Sequence, residues 1–219
     1  MTETFPAAVA AQVDYIASTA PGDADLDAAR EAAEEFAIAT PGVFTGQLLT
    51  TFAAGGANQS SSGAVLVTPA SAVAGLYTLA GLGQRQSITC IDVEAEHHQS
   101  AKTAFRRAGY APSRARFLPS RPVDVMGRLA ANSYHLVYLD VAPLDLPAAV
   151  KAALPLLTPG GSLLIARSLL DGTIADPTRR DRDTLCVRQV DEDLLERSDV
   201  TVSRLPVDGG LTIVTRLPD

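Results

Sequence analysis

Residues 64–67 (AVLV) and 88–91 (ITCI) are two short, unbroken apolar runs separated by a longer mixed segment. Apolar runs of that length, bounded by turn residues, read as strands covered on both faces, and the segment between them has the length of a helix. The rhythm continues along the chain. Residues 94–109 place Ala101, Phe105 and Ala108 on one helical face, residues 116–118 are strand-like, and residues 123–131 are helical. Residues 134–139 (YHLVYL) form an apolar strand closing on Asp140, and residues 146–157 repeat apolar side chains at Leu146, Val150, Ala153 and Leu157. Thr158-Pro159-Gly160-Gly161 reads as a turn into a buried strand at 162–166. Strands alternating with helices of this length imply right-handed crossovers and a parallel sheet.

Both ends depart from that rhythm. Phe5, Val9, Val13 and Ile16 recur at near-helical spacing in residues 4–20, and Pro21-Gly22 breaks the helix. Residues 23–39 form a second candidate helix, with acids near its start where the helix dipole favours them, and residues 46–54 form a third. Residues 53–63 read as a flexible link. At the other end, residues 182–197 are a polar-faced helix, and the strands 200–205 and 211–216 are joined by a tight reversal at Asp208-Gly209-Gly210. The expected organisation is a helical cap over residues 1–54 and one compact α/β unit over 55–219. Its sheet has seven mostly parallel strands, closed by an antiparallel hairpin.

Composition narrows the partners. The chain has 219 residues, 47% of them hydrophobic, a formal charge of −7 and a pI near 4.9. That charge disfavours nucleic acid and anionic membrane, since neither is attracted at long range. No apolar run approaches the ~18 residues of a membrane span, and the first residues lack a basic segment ahead of an apolar one. Cys90 and Cys186 are unpatterned and read as reduced core residues, so a cytoplasmic location is expected.

Four strings carry a family resemblance: ITCIDVEAEH (88–97), YHLVYLD (134–140), LLTPGGSLLIARSLLDGTIADP (156–177) and LPVDGGLTIV (205–214). In this order and spacing the chain resembles S-adenosylmethionine-dependent O-methyltransferases of the catechol and caffeoyl-CoA group, and within it an actinobacterial branch. The likeness runs over roughly residues 40–217. It implies a Rossmann-like methyltransferase fold, S-adenosylmethionine as cofactor, a small hydroxyl-bearing acceptor and a homodimer.

Matched position by position, the resemblance also says what has changed. The family's E-x-G-x-G-x-G cofactor loop falls on Leu66, Thr68, Ala70 and Ala72, none of which keeps the motif. Thr68-Pro69 cannot imitate a glycine turn, because glycine permits positive φ and a residue before proline is pushed to extended backbone. Thr68 is expected instead to cap the following helix, with Pro69 in its first turn. Asp92 matches the acid that holds the ribose hydroxyls and also stands where it can cap the next helix. Ser120, Arg121 and Pro122 match the adenine-contacting segment. Gly46, Thr68, Ala70, Asp92, Ser120 and Pro122 are the cofactor-binding candidates.

In metal-dependent relatives an Asp after the fourth strand and an Asp-Asn pair after the fifth bind a divalent cation, with a lysine nearby. Here those positions are Asp140, Ala166, Arg167 and Pro143. One carboxylate beside an arginine is a poor donor set for a hard cation, so no metal is expected. Asp140 remains as the catalytic candidate, and the Arg167 guanidinium is expected to stand in for the metal's charge and pair with it. His97 and His98 read as solvated helix residues. His135 could act as a base only if it faces the cleft. Arg179 to Asp183 read as a solvated, salt-bridged run, with a dimer contact as the alternative. Two functions follow: methyl transfer to a small-molecule hydroxyl without metal, or a non-catalytic binding or dimerisation module on the same fold. A nucleotide sensor using Asp92 alone is a third, weaker reading.

Overall fold

A computed structural model describes residues 4–57 and 63–218, with side chains from residue 8 onward. The expected link at 53–63 therefore lies partly outside the described residues. Seven strands form one sheet: β1 (Gly63–Val67), β2 (Ser87–Asp92), β3 (Ala115–Pro119), β4 (Tyr134–Leu139), β5 (Leu157–Ile165), β6 (Val200–Leu205) and β7 (Leu211–Arg216). Their order is β3-β2-β1-β4-β5-β7-β6; β1 to β5 are mutually parallel, and β7 runs antiparallel to both β5 and β6. The helices are α1 (Thr4–Thr19), α2 (Ala24–Glu35), α3 (Val43–Gly55), α4 (Ser71–Gly81), α5 (Ala95–Arg107), α6 (Pro122–Met126), α7 (Leu146–Ala153) and α8 (Arg182–Leu195). None of the described helices is long and apolar enough to cross a membrane.

Strand alternation sorts the core into two layers. On β1, Ala64 and Leu66 face one side, packed with Leu49 and Ala53 of α3, Val73 and Leu76 of α4, and Phe105 of α5. Val65 and Val67 face the other side, packed with Met126 of α6, Val150 of α7 and Val187 of α8. Both sets are buried because helices cover both faces, which is why the strand reads as a continuous apolar run. Each fully buried aliphatic side chain contributes roughly 1.5–3 kcal/mol of transfer free energy. Gly46 lets α3 lie close on α4, since a Cβ there would run into the Tyr77 ring. Cys90 sits in β2 with its thiol pushed up to about 12 by burial, against a smaller opposing effect of Ser71, and Cys186 is half-buried on α8.

Several element boundaries differ from expectation. α6 ends at Met126 instead of running to 131, with Gly127 as its C-cap. α7 ends at Ala153, where Pro155 opens a single 3₁₀ turn. Thr158 to Gly161 do not separate two elements. They belong to β5 as an irregularity in its pairing, where Tyr134 faces Leu157 but Leu136 already faces Ser162. Gly160 takes a φ of 76° within it.

Because β1 lies between β2 and β4, the chain leaves it towards one edge of the sheet and returns to build the other. The loops after β1 and β4 therefore part above the sheet. That crevice is where open α/β sheets bind ligands.

Candidate functional site

The crevice is a cleft of about 800 Å³ at the carboxyl ends of β1, β2 and β4, within the usual size range of small-molecule sites. Thr68, Pro69, Asp92, Pro122, Asp140 and Arg167 are among its lining residues. Three of the six cofactor-binding candidates, Thr68, Asp92 and Pro122, thus share one cavity. Gly46 lies in the α3–α4 contact, while Ala70 and Ser120 stand just outside the lining.

The bend after β1 is built from side-chain hydrogen bonds. Thr68 is buried, and its Oγ1 accepts from the Ala70 N–H at 3.1 Å while donating to Asp140 Oδ2 at 3.1 Å. Ser71 Oγ donates to the Thr68 carbonyl at 2.9 Å. The helix starts later than expected. Ala70, not Thr68, is the N-cap of α4, it makes no side-chain cap bond, and Pro69 lies in the bend before the first turn. The cause is the Thr68 hydroxyl, which is engaged across the cleft with Asp140 and reaches only the Ala70 N–H.

Asp92 ends β2 and points two ways. Its Oδ1 accepts from the Glu94 N–H at 3.3 Å, and its Oδ2 pairs with His97 Nδ1. The capping contact therefore exists, although the formal N-cap of α5 is Glu94. Neither neighbouring histidine is a solvated helix residue. His97 is drawn in by Asp92, and His98 is buried against the Phe117 ring at 5.4 Å between centroids, its pKa lowered by burial. His135 does not face the cleft; it is buried, and its Nε2 lies 3.2 Å from the Ala53 carbonyl of α3. Arg179 pairs with Asp181 at the surface, where Asp181 caps α8 through the Thr184 N–H at 3.0 Å.

The charged centre stands at the ends of β4 and β5. Arg167 Nη2 bonds to Asp140 Oδ1, so the expected ion pair forms. The Asp140 side chain is 5% exposed and that of Arg167 is 48%, which puts the cost of desolvation on the carboxylate. Burial lifts the Asp140 carboxyl above its ordinary range, and Arg167 and the Thr68 hydroxyl pull it back only in part. Arg167 holds this position with a left-handed φ of 52°, and Leu170 and Asp171 follow with φ of 46° and 52°. Three non-glycine residues in that region within one short segment mark stored backbone strain beside the charged pair.

On the far side of the pair lies a second cavity of about 260 Å³. Asp140 and Arg167 line it as they line the larger cleft, together with Thr45, Tyr138, Asp171 and Asp208. Asp208 belongs to the β6–β7 turn, where Asp208, Gly209 and Gly210 all take positive φ. The turn is held to the segment after β5 by the Ser168 N–H and Leu169 N–H bonds to the Gly210 and Gly209 carbonyls, at 2.9 and 3.3 Å. Asp208 Oδ2 also accepts from the Gly42 N–H at 3.0 Å, pinning the start of α3 over the cavity. Thr45, Asp171 and Asp208 were not identifiable from the sequence. The only local sign was the turn-forming Asp-Gly pairs at 171–172 and 208–209.

No cluster of three or more His, Cys, Asp or Glu side chains that could hold a metal occurs among the described residues. Asp140, which the resemblance matches to a metal ligand, is already bonded to a guanidinium and a hydroxyl.

Comparison with known proteins places this architecture. A family model described as O-methyltransferase matches residues 71–217. A relative from Mycolicibacterium vanbaalenii that carries the name of that same family is 35% identical over 194 residues, covering 89% of this chain and 84% of the relative. A crystal structure of a Corynebacterium glutamicum protein is similar with a TM-score of 0.94 and 51% identity, covering 97% of this chain and 98% of that one. The O-methyltransferase TomG of Streptomyces achromogenes, involved in tomaymycin synthesis and solved with S-adenosylmethionine, gives a TM-score of 0.81 at 23% identity, with 93% and 95% covered.

Proposed function

Since the chain belongs to the O-methyltransferase family, we propose that it transfers a methyl group from S-adenosylmethionine to a hydroxyl of a small molecule, without a metal, using Asp140 as base. One observation carries this reading. Asp140 and Arg167 line both the 800 Å³ cleft and the 260 Å³ cavity, so a donor in the first and an acceptor in the second meet at these two side chains.

The nucleoside end of the cleft is compatible with the cofactor: Asp92 stands where the resemblance implies a ribose-binding acid, and Pro122 lines the same cleft. At the amino acid end the fit is poorer, because Pro69 has no N–H and the Ala70 N–H is bonded to Thr68. S-adenosylmethionine bound there would supply an electrophilic methyl carbon to the acceptor oxygen and would leave as a neutral thioether, its sulfur keeping the electron pair of the broken bond. Asp140 takes the proton that the hydroxyl loses, so the products are a methyl ether, a neutral thioether and a protonated carboxyl. A carboxyl lifted by burial is a better proton acceptor than an exposed one. Arg167 offers a fixed positive charge to the developing oxyanion, a role for which a preformed guanidinium needs no reorganisation. Alignment of the two reactants across the pair supplies the rest of the rate effect.

The metal-free part of the proposal rests on the donor set. A hard divalent cation takes several oxygen ligands; here a guanidinium already holds Asp140, and Asp171 and Asp208 do not form with it a group that could hold a metal among the described residues. The other reading, a non-catalytic binding module, is favoured by the bend after β1, whose donors are spent internally. Calorimetric titration with S-adenosylhomocysteine separates the two. Micromolar binding weakened by Asp92→Ala supports the transferase, and absence of binding at millimolar concentration overturns it.

A further inference from the structure

The 260 Å³ cavity is unlike the cleft it adjoins. Its lining carries three carboxylates, Asp140, Asp171 and Asp208, against the single guanidinium of Arg167. The ion pair with Arg167 engages Asp140, whereas Asp171 and Asp208 enter none of the ion pairs formed among the described residues. Asp208 accepts a hydrogen bond from the Gly42 N–H, and Asp171 is exposed. Tyr138, buried in the wall, has its phenol raised well above the usual value, by burial first and then by Asp140 and Asp208, so it remains a neutral donor.

A second feature points to a ligand independently of charge. Thr45 is 1% exposed, lines this cavity, and its Oγ1 has no hydrogen-bond partner among the described residues. A buried hydroxyl without a partner costs about 1–3 kcal/mol, and such groups are rare in native structures. It is accounted for if an occupant of the cavity supplies the partner.

We propose that this cavity selects acceptors bearing a protonated amine, with the amine held by Asp171, Asp208 and the Thr45 hydroxyl and the reacting hydroxyl placed at Asp140 and Arg167. The proposal rests on the transferase reading and adds its substrate class. Two unpaired carboxylates repel an acceptor that carries a carboxylate or phosphate of its own, and like-charge juxtaposition is a strong source of discrimination. The cavity volume lies just below the usual range for drug-sized ligands, which suits a single small ring with a short arm.

Tyramine and 4-hydroxyphenylacetate share a phenol and a two-carbon frame and differ in the sign of the charge at its end. Calorimetry on the intact protein at neutral pH and low salt is expected to show tyramine binding at least about tenfold tighter, a difference of ~1.4 kcal/mol. Asp171→Asn, a change at an exposed position, is expected to remove most of that preference, and Thr45→Val to weaken tyramine while leaving the acid unchanged. Equal affinity for the two probes, preference for the acid, or no binding of tyramine overturns the proposal. The outcome is independent of cofactor binding. Tyramine selectivity without affinity for S-adenosylhomocysteine would sink the transferase reading alone, and the converse would sink only the amine.

Discussion

At the ends of β1 and β2 the large cleft is bounded by a rebuilt bend and one acid, while at the ends of β4 and β5 the small cavity is crowded with charge. On the first side the groups expected to bind a ligand are bonded to each other: Thr68 to Ala70 and Asp140, Asp92 to His97. On the second side, among the described residues, the Thr45 hydroxyl has no hydrogen-bond partner and Asp171 and Asp208 enter no ion pair. A protein that met its ligand only through the first side would have little left with which to hold it. The second side retains a buried hydroxyl that folding alone does not satisfy and two carboxylates without a counter-charge, and this is where a ligand returns the most free energy. The difference favours a use for the chain that centres on the acceptor, with the donor held more loosely than a glycine loop would hold it.

The sharpest test acts where the two sides meet. With Asp140 as the proposed proton acceptor, Asp140→Asn is expected to lower turnover by at least about 100-fold, the usual scale of a general base. Affinity for S-adenosylhomocysteine is expected to stay within a few-fold. The variant should not lose stability. Asp140 has a raised carboxyl in the folded state, so its contribution is fully present below the unfolded pKa and is lost as pH rises through the folded one. At neutral pH the ionised group therefore weakens the fold, and the amide is expected to hold or raise the melting temperature. A large drop in melting temperature would show that the pair is structural.

Asp92→Ala tests the other side. Losing a charged hydrogen-bonding partner costs about 1.5–3 kcal/mol, so S-adenosylhomocysteine is expected to bind roughly 10- to 150-fold more weakly, with tyramine affinity unchanged. Equal binding by the variant would mean that His97 already occupies the carboxylate in the complex, leaving the ribose to other groups.

How much of this was legible from the sequence follows the same division. The sheet could be read because its strands are continuous apolar runs, as Ala64–Val67 within β1 shows. Asp92 was identifiable because it closes a strand, Thr68 because it falls in the loop that the family resemblance assigns to the cofactor, and the Asp140–Arg167 pair because parallel neighbours place their ends side by side. Pro69 lies before the helix and not in its first turn, as the Thr68 hydroxyl answers to Asp140, a partner 72 residues away. His97 and His98 depart from the solvated reading for a similar reason: helical spacing says which face a residue takes, while burial by β3 and attraction to Asp92 are tertiary. Thr45, Asp171 and Asp208 come from three segments that meet only because the β6–β7 turn docks behind β5 and under α3. No local pattern encodes that meeting.

A smaller effect concerns the pH dependence of the reaction. If Asp140 is the base, kcat/KM rises with pH through a step above the ordinary carboxylate range and then levels, because only the ionised carboxyl accepts a proton. Arg167 pulls that carboxyl down, so Arg167→Met is expected to move the step to higher pH in addition to lowering the plateau. A step that stayed in place would mean that a different group titrates.

The smallest effect is the most informative about what folding left undone. Thr45→Val keeps the volume and branching of the side chain and deletes only its hydroxyl. If that hydroxyl is unpartnered in the free protein, the change removes a buried polar group at no loss of hydrogen bonding, and the fold gains about 1 kcal/mol. For a chain of this length a gain of that size raises the melting temperature by roughly 2–4 °C. Threonine at this position then trades stability for something other than the fold, and the same substitution should weaken an amine-bearing ligand. A variant that is less stable would show that the hydroxyl already has a partner in the free protein, through a water bridging it to Tyr138 or Asp208. The cavity would then be satisfied without a ligand, and the contrast between the two sides would rest on charge alone.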